Sequence, residues 1–237
     1  LEKSNKYRGI FTKVAQGYPG ASNDVFVQLG LYWQLHLAYD DADPLAFYNS
    51  FFKAWKAGTY TAGAAGYDDR LALTAAGVTG KDLTEFFTRW GMDLSQTTRD
   101  KLAQYEDESR AIWYLNDQSR RDRLAGVSAA AGSLTAEARK AGDREITITL
   151  DASGITGNIQ GFEIRRNGKS IAFVTEETYT DIIGSANHRT YHYEVAAYDS
   201  LGNLIAAADA GEVRVAYDKT VDPSEYDITR SADGAVV

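Results

Sequence analysis

At 237 residues the chain is long enough for one large domain or two ordinary ones. Its composition, 44% hydrophobic and 24% charged, is that of a globular protein, and no apolar run approaches the roughly 18 residues of a membrane span. A formal net charge of -8 without any Lys/Arg block disfavours nucleic acid and anionic membranes as partners, and the absence of cysteine excludes disulfides, thiolate metal sites and a Cys nucleophile. The first residues, Leu1-Glu2-Lys3-Ser4, show neither an initiator Met nor a signal-peptide pattern and read as a cut inside a longer chain.

The apolar pattern is helical up to about residue 125. Ile10, Phe11 and Val14 mark a first helix between Asn5 and Gln16, stopped by Gly17. Asn23 or Asp24 is placed to cap a second helix running to about Tyr39. That helix is apolar around most of its circumference, so neighbours should cover it on several sides. Asp43-Pro44 supplies an N-cap and a first-turn proline for a third helix, with an aromatic stripe of Phe47, Tyr48, Phe51, Phe52 and Trp55 and a stop at Gly58. A Gly/Ala-rich loop to Gly66 leads into a weaker helix over Asp68 to Ala76.

Thr79-Gly80-Lys81-Asp82 fits a capping box ahead of Leu83, Phe86, Phe87 and Trp90, which repeat at helical spacing until Gly91. Ser95 caps one more helix to about Tyr105. Glu106 to Leu124 is charged, with Ile112, Trp113, Tyr114 and Leu115 as an apolar anchor, and reads as a connector docked on the helices. From Gly126 the period shifts towards two. Ile146, Ile148 and Leu150, then Phe162 and Ile164, then Tyr191, Tyr193, Val195 and Ala197 alternate with their neighbours. Gly142-Asp143, Asn167-Gly168 and Gly202-Asn203 punctuate the strands, and several short strands over roughly 90 residues suggest a two-sheet sandwich.

Chemistry-bearing patterns are few. His188 and His192 have the spacing of a zinc helix, but the residue after His188 is Arg189 instead of the general-base Glu. The segment also reads as a strand, in which four residues span about 13 Å, too far for both rings to grip one ion. His36 is a structural histidine on the plain reading and a polar group facing a cleft on the sharper one; Asp24 is most simply a helix cap. The acidic clusters Asp40/Asp41/Asp43, Asp68/Asp69 and Glu106/Asp107/Glu108 fall at helix ends, where carboxylates favour the dipole. Paired carboxylates also serve glycoside hydrolysis, the weakest of the functional readings. The aromatic stripe offers a sugar platform, though at helical spacing such stripes form cores. Nucleophile elbow, P-loop, dinucleotide fingerprint and EF-hand spacing are all missing.

Two stretches carry a resemblance. Phe26-Val27-Gln28-Leu29-Gly30-Leu31-Tyr32-Trp33-Gln34-Leu35 with Ala38-Tyr39 resembles the helix downstream of the zinc site in enhancin-like, mucin-degrading gluzincin metallopeptidases. Asp69-Arg70-Leu71 and the run from Gly80 to Gly91 resemble their closing helices. Gly161 to Lys169 and Thr190 to Asp199 resemble the central hairpin and the Tyr-rich strand of a fibronectin type III domain.

The resemblance implies a multidomain α and β chain. It would consist of an all-α subdomain of gluzincin C-terminal type over residues 1–125, a fibronectin type III-like β-sandwich over 126–218, and a polar tail or linker over 219–237. It further implies a non-catalytic C-terminal portion of a secreted or cell-surface bacterial zinc peptidase acting on glycoproteins such as mucins, with the upstream catalytic subdomain as partner. That family's His-Glu-x-x-His helix supplies two zinc ligands and the base, and no such motif occurs here. No catalytic, cofactor-binding or metal-binding residue is therefore assigned, and zinc is expected in the parent's catalytic domain only. The alternative is a stand-alone glycan- or protein-binding module without peptidase activity.

Overall fold

The computed structural model describes residues 1–2, 6–17, 24–41, 43–184 and 189–215; the expected tail over 219–237 lies outside them. Helix α1 (Lys6–Gln16) buries Ile10, Phe11 and Val14 as its spacing predicts. The second helix is split at Leu29 into α2 (Val25–Gln28) and α3 (Gly30–Tyr39), with Asp24 as the cap of α2. A Cβ on Gly30 would stand 2.7 Å from Ile10 Cδ1 and 2.9 Å from Trp90 Cη2, so only glycine lets α3 lie this close to both side chains.

The third helix, α4 (Ala46–Ala57), starts later than Asp43-Pro44 suggests: Asp43 Oδ1 accepts from Leu45 N and builds a turn before the helix begins. Gly58, at φ 65°, ends it in the left-handed conformation. Helix α5 (Tyr67–Thr79) is longer than expected and takes in Thr79, so Thr79 does not open a capping box. Its hydroxyl instead donates back to Ala75 O, while Asp82, just ahead of the next helix, accepts from Thr84 N at 2.8 Å. Strand β1 (Lys81–Asp82) precedes α6 (Thr84–Arg89) and α7 (Gln96–Leu102), the latter capped by Ser95 as expected.

Strand β2 (Glu106–Asp107) pairs in parallel with β1. A 3-10 turn, Ile112–Tyr114, holds the predicted apolar anchor fully inside. The charged connector then forms helix α8 (Asp117–Leu124), which has no apolar stripe. A capping box between Asn116 and Ser119 starts it. Arg120 and Arg123 fix it by donating to Asp40 O at 3.1 and 2.7 Å, at the C-terminus of α3.

Strands β3 (Ala131–Gly132), β4 (Thr135–Lys140), β5 (Glu145–Asp151), β6 (Ile155–Thr156), β7 (Ile159–Arg166), β8 (Lys169–Val174), β9 (Thr178–Ile182), β10 (Arg189–Asp199) and β11 (Leu204–Val215) follow. They form a four-stranded sheet ordered β11-β10-β7-β8, a three-stranded sheet ordered β4-β5-β9, and a short β3-β6 pair. Asn167 (φ 51°) and Gly168 (φ 73°) close the β7-β8 hairpin in the way the Asn-Gly pair predicts.

The expected architecture, an all-α subdomain followed by a separate fibronectin type III-like sandwich, is overturned. The helical half contains the β1-β2 pair, and the four-stranded sheet is buried on both faces. Along β10, Tyr193, Val195 and Ala197 face the three-stranded sheet, while Ala196 and Tyr198 join the core of the helices. Along β7, Phe162 and Ile164 turn to the sandwich side, and Glu163 turns to the helices. Phe173 of β8 stacks on Tyr114 at a centroid distance of 3.8 Å.

The result is a mixed α/β unit of three layers: helices, four-stranded sheet, three-stranded sheet. A free-standing sandwich would leave the Glu163, Phe173 and Tyr198 side of that sheet in water. Here a charged joint seals it. Glu163, fully buried, accepts from Tyr114 Oη (2.5 Å), Arg89 Nη1 (3.1 Å) and Arg165 Nε (2.6 Å).

Candidate functional site

Between α3, α4 and α5 the helical layer holds a groove of about 630 Å³ that is open to solvent. Leu29 and Tyr32 form one wall. Tyr48, Phe52 and Trp55, spaced four and three apart, form the second as successive turns of α4, and Tyr67 with Leu71 closes the end. Phe52 is 57% exposed and Tyr67 59%.

Hydrogen bonds fix the aromatic walls. Tyr48 Oη donates to Tyr32 O (2.8 Å), the Tyr32 and Tyr67 hydroxyls bond each other (2.7 Å), and Tyr67 packs edge-on against Trp55. Arg70 lies over the Trp55 ring at 4.1 Å and donates to Trp55 O. Burial, with the Asp40 carboxylate nearby, pushes the Tyr48 hydroxyl up to about 12, and burial also raises that of Tyr32. These phenols stay neutral near pH 7, and no charged side chain lines the groove.

Behind the groove sits His36. Its Nδ1 bonds Asp40 Oδ2 at 2.7 Å, and Asp40 Oδ1 in turn accepts from Phe47 N. The imidazole stacks parallel to Tyr48 at 5.7 Å and lies against Trp33 at 4.6 Å. With 6% exposure, His36 acts as a packed, hydrogen-bonded link between α3 and α4. Trp33 Nε1 donates to Tyr7 Oη (3.0 Å) and Asp117 Oδ1 (3.2 Å), which ties the same helix to α1 and α8.

The remaining polar residues singled out in the sequence do not converge on one another. Asp24 accepts from Phe26 N and pairs with Lys6 at 2.5 Å; the Lys6 hydrogen bond, ahead of the backbone one, holds its carboxyl below the usual range. Asp69 clamps two loops by accepting from Ala65 N and Ser95 N, both at 2.9 Å. Asp41 pairs with Arg123 and Glu106 with Lys81. Burial raises the Glu108 carboxyl, but hydrogen bonds from Arg110 and Tyr39 more than offset it, so the net shift is downward. His188 lies outside the described residues, and His192 bonds Asp209 at 2.9 Å.

Sequence reasoning missed the Glu163 joint, because a Glu between Phe162 and Ile164 reads as a solvent-facing strand position. The groove was half legible. Its aromatic stripe could be read from the spacing, but not that Phe47 and Phe51 would turn inward and Phe52 outward.

No protein-family model matches the sequence, and no curated protein matches it. Solved structures do. The chain is similar to the M60 catalytic domain of ZmpC from Clostridium perfringens, solved with the sialyl T antigen. Identity is 22% and the TM-score 0.60, over 91% of this chain and 42% of that one. It is also similar to the catalytic module of the metalloprotease ZmpA from Clostridium perfringens, at 25% identity and TM-score 0.58, over 87% of this chain and 39% of that one. The ZmpB metallopeptidase of Clostridium perfringens gives 21% and 0.55, over 90% and 42%. The fold resembles that of M60 metallopeptidase catalytic domains.

The chain spans about two fifths of the length of those structures. Such domains imply a bound metal. Among the described residues no group of three or more His, Asp or Glu side chains is arranged to hold one, and His36 and His192 are each engaged by a carboxylate. Among the described residues no set of side chains fits a metal centre.

Proposed function

We propose that this chain is the non-catalytic C-terminal portion of a secreted or cell-surface zinc metallopeptidase of the enhancin-like gluzincin type, acting on glycoproteins such as mucins. One observation carries the reading. Nearly the whole chain follows the fold of metallopeptidase catalytic domains yet accounts for 42% and 39% of two of them, and it contains no His-Glu-x-x-His. Zinc and the general base then belong to an upstream catalytic portion. The helical layer serves as a wall that helps form the substrate cleft, and the sheets space the domains.

The parent reading frame tests this cheaply. A His-Glu-x-x-His motif ahead of Leu1 is expected, and its absence there sinks the proposal. The purified 237-residue chain is expected to hold no stoichiometric zinc, and elemental analysis showing one tightly held ion per chain contradicts the reading.

The open aromatic groove favours one other reading, a stand-alone glycan- or protein-binding module. Titration of the isolated chain against mucin and glycan arrays separates the two. Saturable binding supports the module, and flat curves count against it.

A further inference from the structure

We infer that the groove between α3, α4 and α5 is the seam on which the metal-bearing half of a metallopeptidase catalytic fold docks; this rests on the functional reading above. Three observations select that occupant. The matched catalytic domains extend well beyond the part seen here, since this chain accounts for 42% and 39% of two of them. More than half of each of those domains lies outside the part that this chain matches.

Helix α1 and the 3-10 turn pack on the four-stranded sheet, Phe11 and Tyr114 against Phe173, whereas α4 packs on α3 and α5. Among the described residues, most exposed large apolar side chains fall between Val25 and Tyr67, and Leu29, Leu45, Phe52 and Tyr67 of these line the groove.

The chemistry of the groove argues for an apolar protein face over the substrate. Its walls are Leu, Phe, Trp and Tyr, the residue types of interface cores, and the charged groups that would answer a sialic acid carboxylate are missing from them. The cation beside those walls, Arg70, is already engaged, stacked on the Trp55 ring and donating to Trp55 O.

Hydroxyl-radical footprinting of Leu29, Phe52 and Tyr67 tests the assignment. The 237-residue chain is compared with the longer polypeptide encoded in the same reading frame, with and without a glycopeptide bearing the sialyl T antigen. The three side chains are expected to react freely in the short chain and to lose that reactivity in the longer polypeptide before any glycopeptide is added.

Protection that appears only with glycopeptide makes the groove a substrate site, and reactivity under every condition leaves it free; either overturns the seam while the functional reading stands. Concentration-dependent protection in the short chain assigns the groove to a second copy and overturns it too. A longer polypeptide without His-Glu-x-x-His defeats the functional reading itself, and the seam with it.

As an independent check, Phe52→Glu is expected to leave thermal unfolding of the short chain unchanged. In the longer polypeptide it is expected to restore the radical reactivity of Leu29 and Tyr67. Continued protection of both against that charge contradicts the seam.

Discussion

Where α1 and the 3-10 turn meet the sheet, aromatic rings are sealed. Phe11 packs edge-on against Phe173 and Tyr114, Tyr114 stacks on Phe173, and Tyr198 closes the cluster beside the buried Glu163. In the groove the same residue types stand open, with Phe52 57% and Tyr67 59% exposed. Composition does not separate the two clusters; what lies across from them does. The first has a sheet face supplied by its own chain. The second has walls that are hydrogen-bonded into place but stand open to solvent.

Substitutions sharpen this contrast. The largest expected effect is at the joint: Glu163→Ala leaves Arg89 and Arg165 without their shared carboxylate. By analogy with broken buried ion pairs, it should cost about 4 kcal/mol in urea unfolding. Phe173→Ala opens a cavity against Tyr114 and should cost about 3 kcal/mol in the same assay. Asp40→Ala removes the acceptor of both His36 Nδ1 and Phe47 N, for about 2 kcal/mol. Were Glu163→Ala or Phe173→Ala neutral, the helices and sheets would not share the core described above.

The acid side of the stability curve carries a further signature. The folded state holds the Glu108 carboxyl below its ordinary value of about 4.3. Its contribution is therefore complete above that value and is lost as pH falls through the folded one. Wild type and Glu108→Gln should differ most near neutrality and converge only once the pH has fallen below the folded-state value. A constant gap across pH contradicts the role of Arg110 and Tyr39 in holding that carboxylate. At the small end, Phe52→Ser in the groove should shift stability by no more than about 0.5 kcal/mol, because the residue is already 57% exposed. A large loss there would mean that the groove is a closed core.

Much of the local structure was legible in the sequence. The spacing of Ile10, Phe11 and Val14, the stop at Gly58, the cap at Ser95 and the Asn167-Gly168 hairpin all follow from short-range physics, and the structure has them. What escaped depends on contacts distant in sequence. Helix α8 has no apolar face to announce it and exists because Arg120 and Arg123 find the carbonyl end of α3.

The three-layer arrangement escaped for a related reason. Alternation at Phe162, Ile164, Tyr193 and Val195 reveals one buried face of the sheet. The other face is buried through Glu163, Ala196 and Tyr198, which read as ordinary outward positions. The candidate site divides the same way: its aromatic stripe was visible, but its openness was not.

The central claim is that this fold is the non-catalytic portion of a metallopeptidase, and one comparison tests it most directly. A sialylated O-glycoprotein is incubated with the 237-residue chain and with the longer polypeptide from the same reading frame, each with zinc and with a chelator. Cleavage is expected from the longer polypeptide alone, and the chelator should abolish it. Cleavage by the short chain, or none by the longer one, would contradict the account.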